Sequence, residues 1–188
     1  MILTQWASPV LGLSIVADVF AFLVIIYVGF VMAYVNGIPL WNTPLLPMLY
    51  LVTGIWGGLG VTLLTLLTTG ATVAVATVEE GSRIFLLAFL FIVFIYLFNM
   101  RYQGTTAKTS VRTLVAGKLA PLFWIVVIAF GTLLPVAVAL GTWLADLSIP
   151  VALISILIIL ELAADLSIRY CILKAGLYSP VIAVPGYA

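Results

Sequence analysis

Glu161, Asp165 and Arg169 stand at successive intervals of four residues within an otherwise apolar stretch. On a helix that spacing puts all three on one face. A charge inside a bilayer costs about 2.5–3.5 kcal/mol on insertion scales, so it needs either a task or a partner. Two readings fit the pattern. In one, a carboxylate near the membrane centre, a second carboxylate one turn on and a basic group at the interface form a proton path. In the other, Asp165 and Arg169 are an ion pair that lets the helix insert and pins it to a neighbour. Glu161 lies roughly 16 Å beyond Pro150 at about 1.5 Å per residue, near mid-membrane and two turns from Arg169. Asp18 is another acid in apolar surroundings. It is placed either to accept protons near the outer leaflet or to pair with a polar group on another helix or chain.

What is missing narrows the chemistry further. The 188 residues contain no histidine and one cysteine, Cys171. That leaves no ordinary ligand set for a haem, an iron–sulfur cluster or zinc. No nucleophile–base pair or phosphate loop is present, so no catalytic residue and no metal site is expected in this chain. Any metal centres for electron transfer would belong to partner subunits. A net charge of +1 gives no reason to expect nucleic acid.

The elements that must position these residues are membrane helices. Apolar residues make up 65% of the chain, charged ones only 7%, and mean hydropathy is +1.38; soluble domains are about one quarter charged. No charge occurs between Asp18 and Glu79, nor within 84–100, 119–145 or 147–160. A span needs about 20 apolar residues. The expectation is an all-α integral membrane bundle of five transmembrane helices in a single domain, over about 10–35, 44–69, 84–100, 119–140 and 150–173. The apolar run after Met1 to Val10 is too long for a signal-peptide core and reads as a retained helix. Asn36-Gly37 with Pro39 and Pro44 marks a turn. Residues 70–82 and 101–118 read as loops, and Pro135 is expected to kink the fourth helix. Gly54 and Gly58 form a GxxxG pair suited to helix packing, or to room for a flat ligand ring. Thr62, Thr65 and Thr69 share a face, but threonine hydroxyls usually bond back to their own helix. Six basic residues fall on one side, Arg101, Lys108, Arg112, Lys118, Arg169 and Lys174, against Arg83 on the other. The positive-inside rule then puts the N-terminus outside and the C-terminus in the cytoplasm.

Three stretches resemble the NrfD, or polysulfide-reductase membrane-subunit, family. Pro39-Leu40-Trp41-Asn42-Thr43-Pro44 followed by Leu46-Pro47 and Gly54 is similar to that family's tryptophan–asparagine–proline turn and the helix after it. Gly117 to Pro135 carries Phe123-Trp124 and a closing Leu-Leu-Pro, and Arg169-Tyr170-Cys171-Ile172-Leu173-Lys174-Ala175-Gly176 is similar to the family's C-terminal signature.

The resemblance implies a membrane anchor of a respiratory complex in a prokaryotic cytoplasmic membrane. Such a subunit works with a quinone, menaquinone or ubiquinone, and docks an iron–sulfur subunit that serves a molybdenum or multihaem subunit. Family members are commonly longer, with two helical bundles, and all three matches fall in the C-terminal half. The quinone-binding residues are therefore left unassigned here: another chain is expected to supply the N-terminal bundle, the alternatives being a fragment or a reduced member with a different role. The proton-handling candidates Asp18, Glu161, Asp165 and Arg169 rest on burial alone. A small transporter or channel, or a purely structural accessory subunit, is the alternative.

Overall fold

The computed structural model describes residues 9–70, 75–145 and 150–179, and within them contains helices and turns but no strand. Asp146, the first eight residues and the tail beyond Ser179 lie outside the described residues. The helices are α1 (Pro9–Ala33), α2 (Leu45–Thr69), α3 (Val75–Met100), α4 (Thr105–Ala116), α5 (Leu122–Leu133), α6 (Leu134–Ala145) and α7 (Val151–Ala175). Five stretches are long and apolar enough to cross a membrane: α1, α2, α3, the continuous α5–α6 and α7.

Two regions differ from the sequence reading. Residues 75–82, read as part of a loop, form the first turns of α3. Glu79 and Arg83 neutralise each other across one helical turn, so the charges do not end the helix. The polar 101–118 segment contains the helix α4. Its Ala107, Ser110, Val111 and Leu114 are buried at helical spacing, while Lys108 and Arg112 stay exposed. A sequence can be amphipathic and helical without being hydrophobic enough to span.

The fourth span is also unusual. In α5 the backbone follows the wide, i→i+5 bonded register, and Leu134 N–H donates to the Ala129 carbonyl. Such register is ordinarily confined to a single turn. Here it occupies the stretch just before Pro135, where the expected kink was placed. It brings Phe123, Val127 and Thr132 to the interior at intervals of four and five residues, and the Thr132 hydroxyl donates to the Val127 carbonyl at 2.7 Å.

The core runs between α2, α3, α5 and α7, with the most extensive contacts between α5 and α7 and between α2 and α3. Trp56 stacks on Phe89 at 5.1 Å between ring centroids, joining α2 to α3. α1 is attached mainly to α2 and leaves most of its surface exposed. One end of the bundle is closed by the 36–44 turn. There the Trp41 indole N–H donates to the Ile172 carbonyl at 2.9 Å, Tyr96 Oη donates to the Leu40 carbonyl at 2.7 Å, and Ser179 N–H donates to the Gly37 carbonyl at 2.9 Å. Trp41 lies so close to Gly176 that an added Cβ would stand 2.8 Å from its ring. Two of the segments that carry the family resemblance therefore meet at one latch.

The α5–α7 crossing depends on a glycine. A methyl on Gly131 would overlap the methyl of Ala164 and crowd the Val126 carbonyl at 3.0 Å. Overpacking of this kind costs roughly 1–3 kcal/mol. Gly131→Val is expected to lower the thermal midpoint of the detergent-solubilised chain by several degrees, followed by fluorescence-detected size exclusion, and adding Ala164→Gly should recover part of the loss. An unchanged midpoint in Gly131→Val would mean that the two helices have room between them.

Candidate functional site

The residues with chemical potential collect on the faces that α7 turns toward α2 and α3. The four-residue spacing read from the sequence does produce an ion pair: Arg169 Nε donates to Asp165 Oδ1 at 2.9 Å. The guanidinium is further held from α2. Its Nη2 donates to Thr53 Oγ1 at 2.9 Å, and its carbon lies 4.9 Å from the centre of the Tyr50 ring. Thr53 in turn donates to the Tyr50 carbonyl at 3.2 Å, and the Tyr50 hydroxyl donates to Met32 Sδ at 3.2 Å on α1. A hydrogen-bonded and π-stacked guanidinium is the form in which arginine is tolerated away from water. Between the two helices, Gly57 leaves the space that Asp165 Oδ2 fills, 3.5 Å from where a Cβ would stand, and Gly60 does the same for Ile158 at 3.4 Å.

Around the expected glycine pair the geometry is uneven. A Cβ on Gly54 would stand 2.6 Å from Ile25, so Gly54 is where α1 seats on α2. Gly58 has open space beside it and is exposed. The glycines that receive α7 are Gly57 and Gly60. Thr62, Thr65 and Thr69 are exposed and donate to carbonyls of their own helix, at 2.9, 2.8 and 2.8 Å to Gly58, Val61 and Thr65.

Glu161 sits one turn before Asp165 in a different environment. Its carboxyl lies near Trp56, a residue only 1% exposed whose buried indole N–H makes no hydrogen bond among the described residues. Glu161 also lines a cavity of about 60 Å³ with Ser82, Glu79 and Arg83 of α3, Pro135 of α6 and Leu157 of α7. A water needs roughly 10–15 Å³ of such space and two or more polar partners. By volume the cavity has room for a few waters beside Glu161, Glu79, Ser82 and Arg83.

The structure thus brings Asp165 and Arg169 together, and places Glu161 beside them on the same helix. It does not bring in Asp18, which is exposed on α1 and has no ion-pair partner among the described residues. Trp56, Thr53, Tyr50 and the Glu79–Ser82–Arg83 group were not among the sequence candidates. The Glu79–Arg83 spacing was a usable signal; the indole at Glu161 had none. No group of three metal-binding side chains is present among the described residues.

Breaking the clamp gives a direct test. Removing one partner of a buried pair typically costs roughly 3–5 kcal/mol because the other charge is stranded. Arg169→Leu is expected to lose most of its folded fraction in a heat or denaturant challenge, and Arg169→Leu with Asp165→Asn should lose less than Arg169→Leu alone. Equal losses would show that the guanidinium is held by Thr53 and Tyr50 without the carboxylate.

The family model described as Polysulphide reductase, NrfD matches residues 1–181. A curated relative, the C subunit of the polysulfide reductase of Wolinella succinogenes, is 37% identical over 173 residues, covering 87% of this chain and 53% of the relative. The chain spans about half the length of that relative. No solved structure matches the chain. With five helices long and apolar enough to span and a family match along nearly the whole sequence, the chain is a multi-pass membrane protein that belongs to the polysulphide reductase NrfD family.

Proposed function

We propose that this chain is the membrane-anchor subunit of a respiratory, quinone-linked oxidoreductase complex. It scaffolds electron exchange between the quinone pool, menaquinone or ubiquinone, and an iron–sulfur subunit that serves a molybdenum or multihaem enzyme. The observation that carries this reading is the family match over residues 1–181, together with a relative named as one subunit of a reductase. The chain's lack of histidine agrees with metal centres housed elsewhere. No residue of this chain is assigned to the quinone.

The outward face of α1 favours a further helix packed against it. Phe20, Tyr27 and Phe30 are 60–68% exposed on it, and Asp18 faces outward within the same span. An acid facing hydrocarbon is costly, whereas a neighbouring helix can supply it with a polar partner. On this reading the N-terminus lies outside, as the distribution of basic residues favours, and the iron–sulfur subunit docks on the outer face.

Within the chain, Glu161 is the proton-handling group. Its carboxyl opens on a cavity whose other polar residues are Glu79, Ser82 and Arg83, and Asp165 follows one turn along the same face. A proton entering by the Glu79–Arg83 end would pass through water to Glu161. Asp165 and Arg169 then bound the path on the opposite side.

Two experiments test these statements separately. Glu161→Gln should leave the complex assembled while slowing quinone-coupled turnover by about a hundredfold, the lower range for loss of a proton-transfer group. Full activity in that variant removes the proton path. Extraction in mild detergent should yield iron–sulfur and molybdenum or haem subunits, with bound quinone, by mass spectrometry and quinone assay. A lone homo-oligomer with no redox partner would instead favour a small transporter, and cross-links only to cytoplasmic proteins would overturn the orientation or the partner.

A further inference from the structure

A groove of about 380 Å³ opens between the last turns of α3 and the short helix α4. Three cations line it: Arg101 at the end of α3, and Lys108 and Arg112, which stand four residues apart on α4. Like charges at that spacing repel one another. None of the three has a carboxylate within ion-pair distance, since the ion pairs among the described residues are Arg83–Glu79 and Arg169–Asp165. Glu79 and Glu80 lie near the opposite end of α3, roughly 30 Å away at 1.5 Å per residue. The positive charge is therefore concentrated and uncompensated.

The rest of the groove is apolar and ordered in depth. Phe94 and Phe98 lie one turn apart on α3, stacked at 6.2 Å and 68% and 57% exposed. Both precede Arg101 toward the middle of the span. On the opposite wall, Val111 and Val115 of α4 also line the groove. Charge at the rim with an aromatic and aliphatic slot running from it into the span is the profile of an amphiphile with an anionic head. A neutral headgroup would leave three cations crowded and unanswered. A soluble acidic segment would leave exposed phenylalanines with nothing to cover them.

We propose that this groove is a binding site for one anionic phospholipid, with the phosphate held by Arg101, Lys108 and Arg112 and the upper acyl chain lying along Phe94 and Phe98. Arginine's forked donors suit a phosphate bidentately, and a basic recess at the end of membrane helices is a recognised form of lipid site. The inference does not depend on the redox reading. The lipid ties α4, which has no span of its own, to the membrane edge of α3.

The test uses the full chain with whatever subunits accompany it, in mild detergent. Native mass spectrometry follows retention of dioleoyl phosphatidylglycerol against dioleoyl phosphatidylcholine, which share their acyl chains and differ in headgroup, one anionic and the other zwitterionic. The wild type should retain one phosphatidylglycerol at about a hundredfold lower lipid concentration than phosphatidylcholine. Arg101→Gln, Lys108→Gln and Arg112→Gln should each reduce that preference about fivefold, the factor expected for one basic residue at a membrane surface. The triple variant should bind both lipids alike, and Phe98→Ala should weaken both. Because the cations are exposed, thermal midpoints should not change, and a variant with Arg101→Lys and Arg112→Lys should retain the preference. Equal retention of the two lipids by the wild type, or a preference that survives the triple variant, would overturn the proposal. Displacement of the lipid by millimolar inorganic phosphate would reassign the site to a free anion, and occupation of the groove by an acidic subunit in place of lipid would reassign it to a protein interface.

Discussion

One guanidinium organises the interior. Arg169 lies on a helix that is apolar for most of its length, and its charge is accommodated only because three separate groups reach it: the Asp165 carboxylate, the Thr53 hydroxyl and the face of Tyr50. Two of the three come from α2. The requirement to satisfy a partly buried charge therefore fixes the rotation and height of α7 against α2, which apolar contact alone would leave free to slide. Tyr50 passes the constraint to α1 through its hydroxyl and Met32. A polar chain from α7 through α2 to α1 thus crosses a bundle whose remaining surfaces are greasy and permissive.

Close approach then depends on small side chains. Gly57 admits Asp165, Gly60 admits Ile158 and Gly131 admits Ala164, so α7 is gripped by glycines from two neighbours. Without a hydrophobic driving force between helices in lipid, such fits supply the van der Waals contact that holds the bundle together. The wide register of α5 belongs to the same packing problem, since it directs Phe123, Val127 and Thr132 inward along the helix that meets α7 most extensively. At the bundle end, the Trp41–Gly176 contact closes the arrangement.

The spans were legible because hydropathy alone marks them, and the Asp165–Arg169 pair was legible because helical spacing is local. What escaped the sequence is either nonlocal or concealed by local polarity. Thr53 and Trp56 are ordinary residues of an apolar helix, and nothing in their neighbourhood announces that they face Arg169 and Glu161 more than 100 positions away. The start of α3 was hidden because Glu79, Glu80 and Arg83 look like loop residues until the Glu79–Arg83 pair is seen to neutralise itself. The helix α4 was hidden because charge was counted along it and the buried series Ala107, Val111, Leu114 was not. For the glycines, composition pointed to the right helix, but the face depended on neighbours, and Gly57 and Gly60 rather than Gly58 turned out to face α7.

Asp18 has a consequence for how α1 sits in the membrane. An acid with no ion-pair partner among the described residues, on a weakly attached outer helix, costs about 2.5–3.5 kcal/mol on insertion scales. That is a sizeable fraction of the roughly 5–15 kcal/mol by which folded proteins are commonly stable. While it faces hydrocarbon the carboxylate carries this penalty continuously, and α1, attached mainly to α2, is the helix that can most readily tilt to relieve it. In the complex proposed above, this carboxylate would separate an orphan copy from an assembled one, and would give membrane proteolysis a physical basis for removing one and sparing the other.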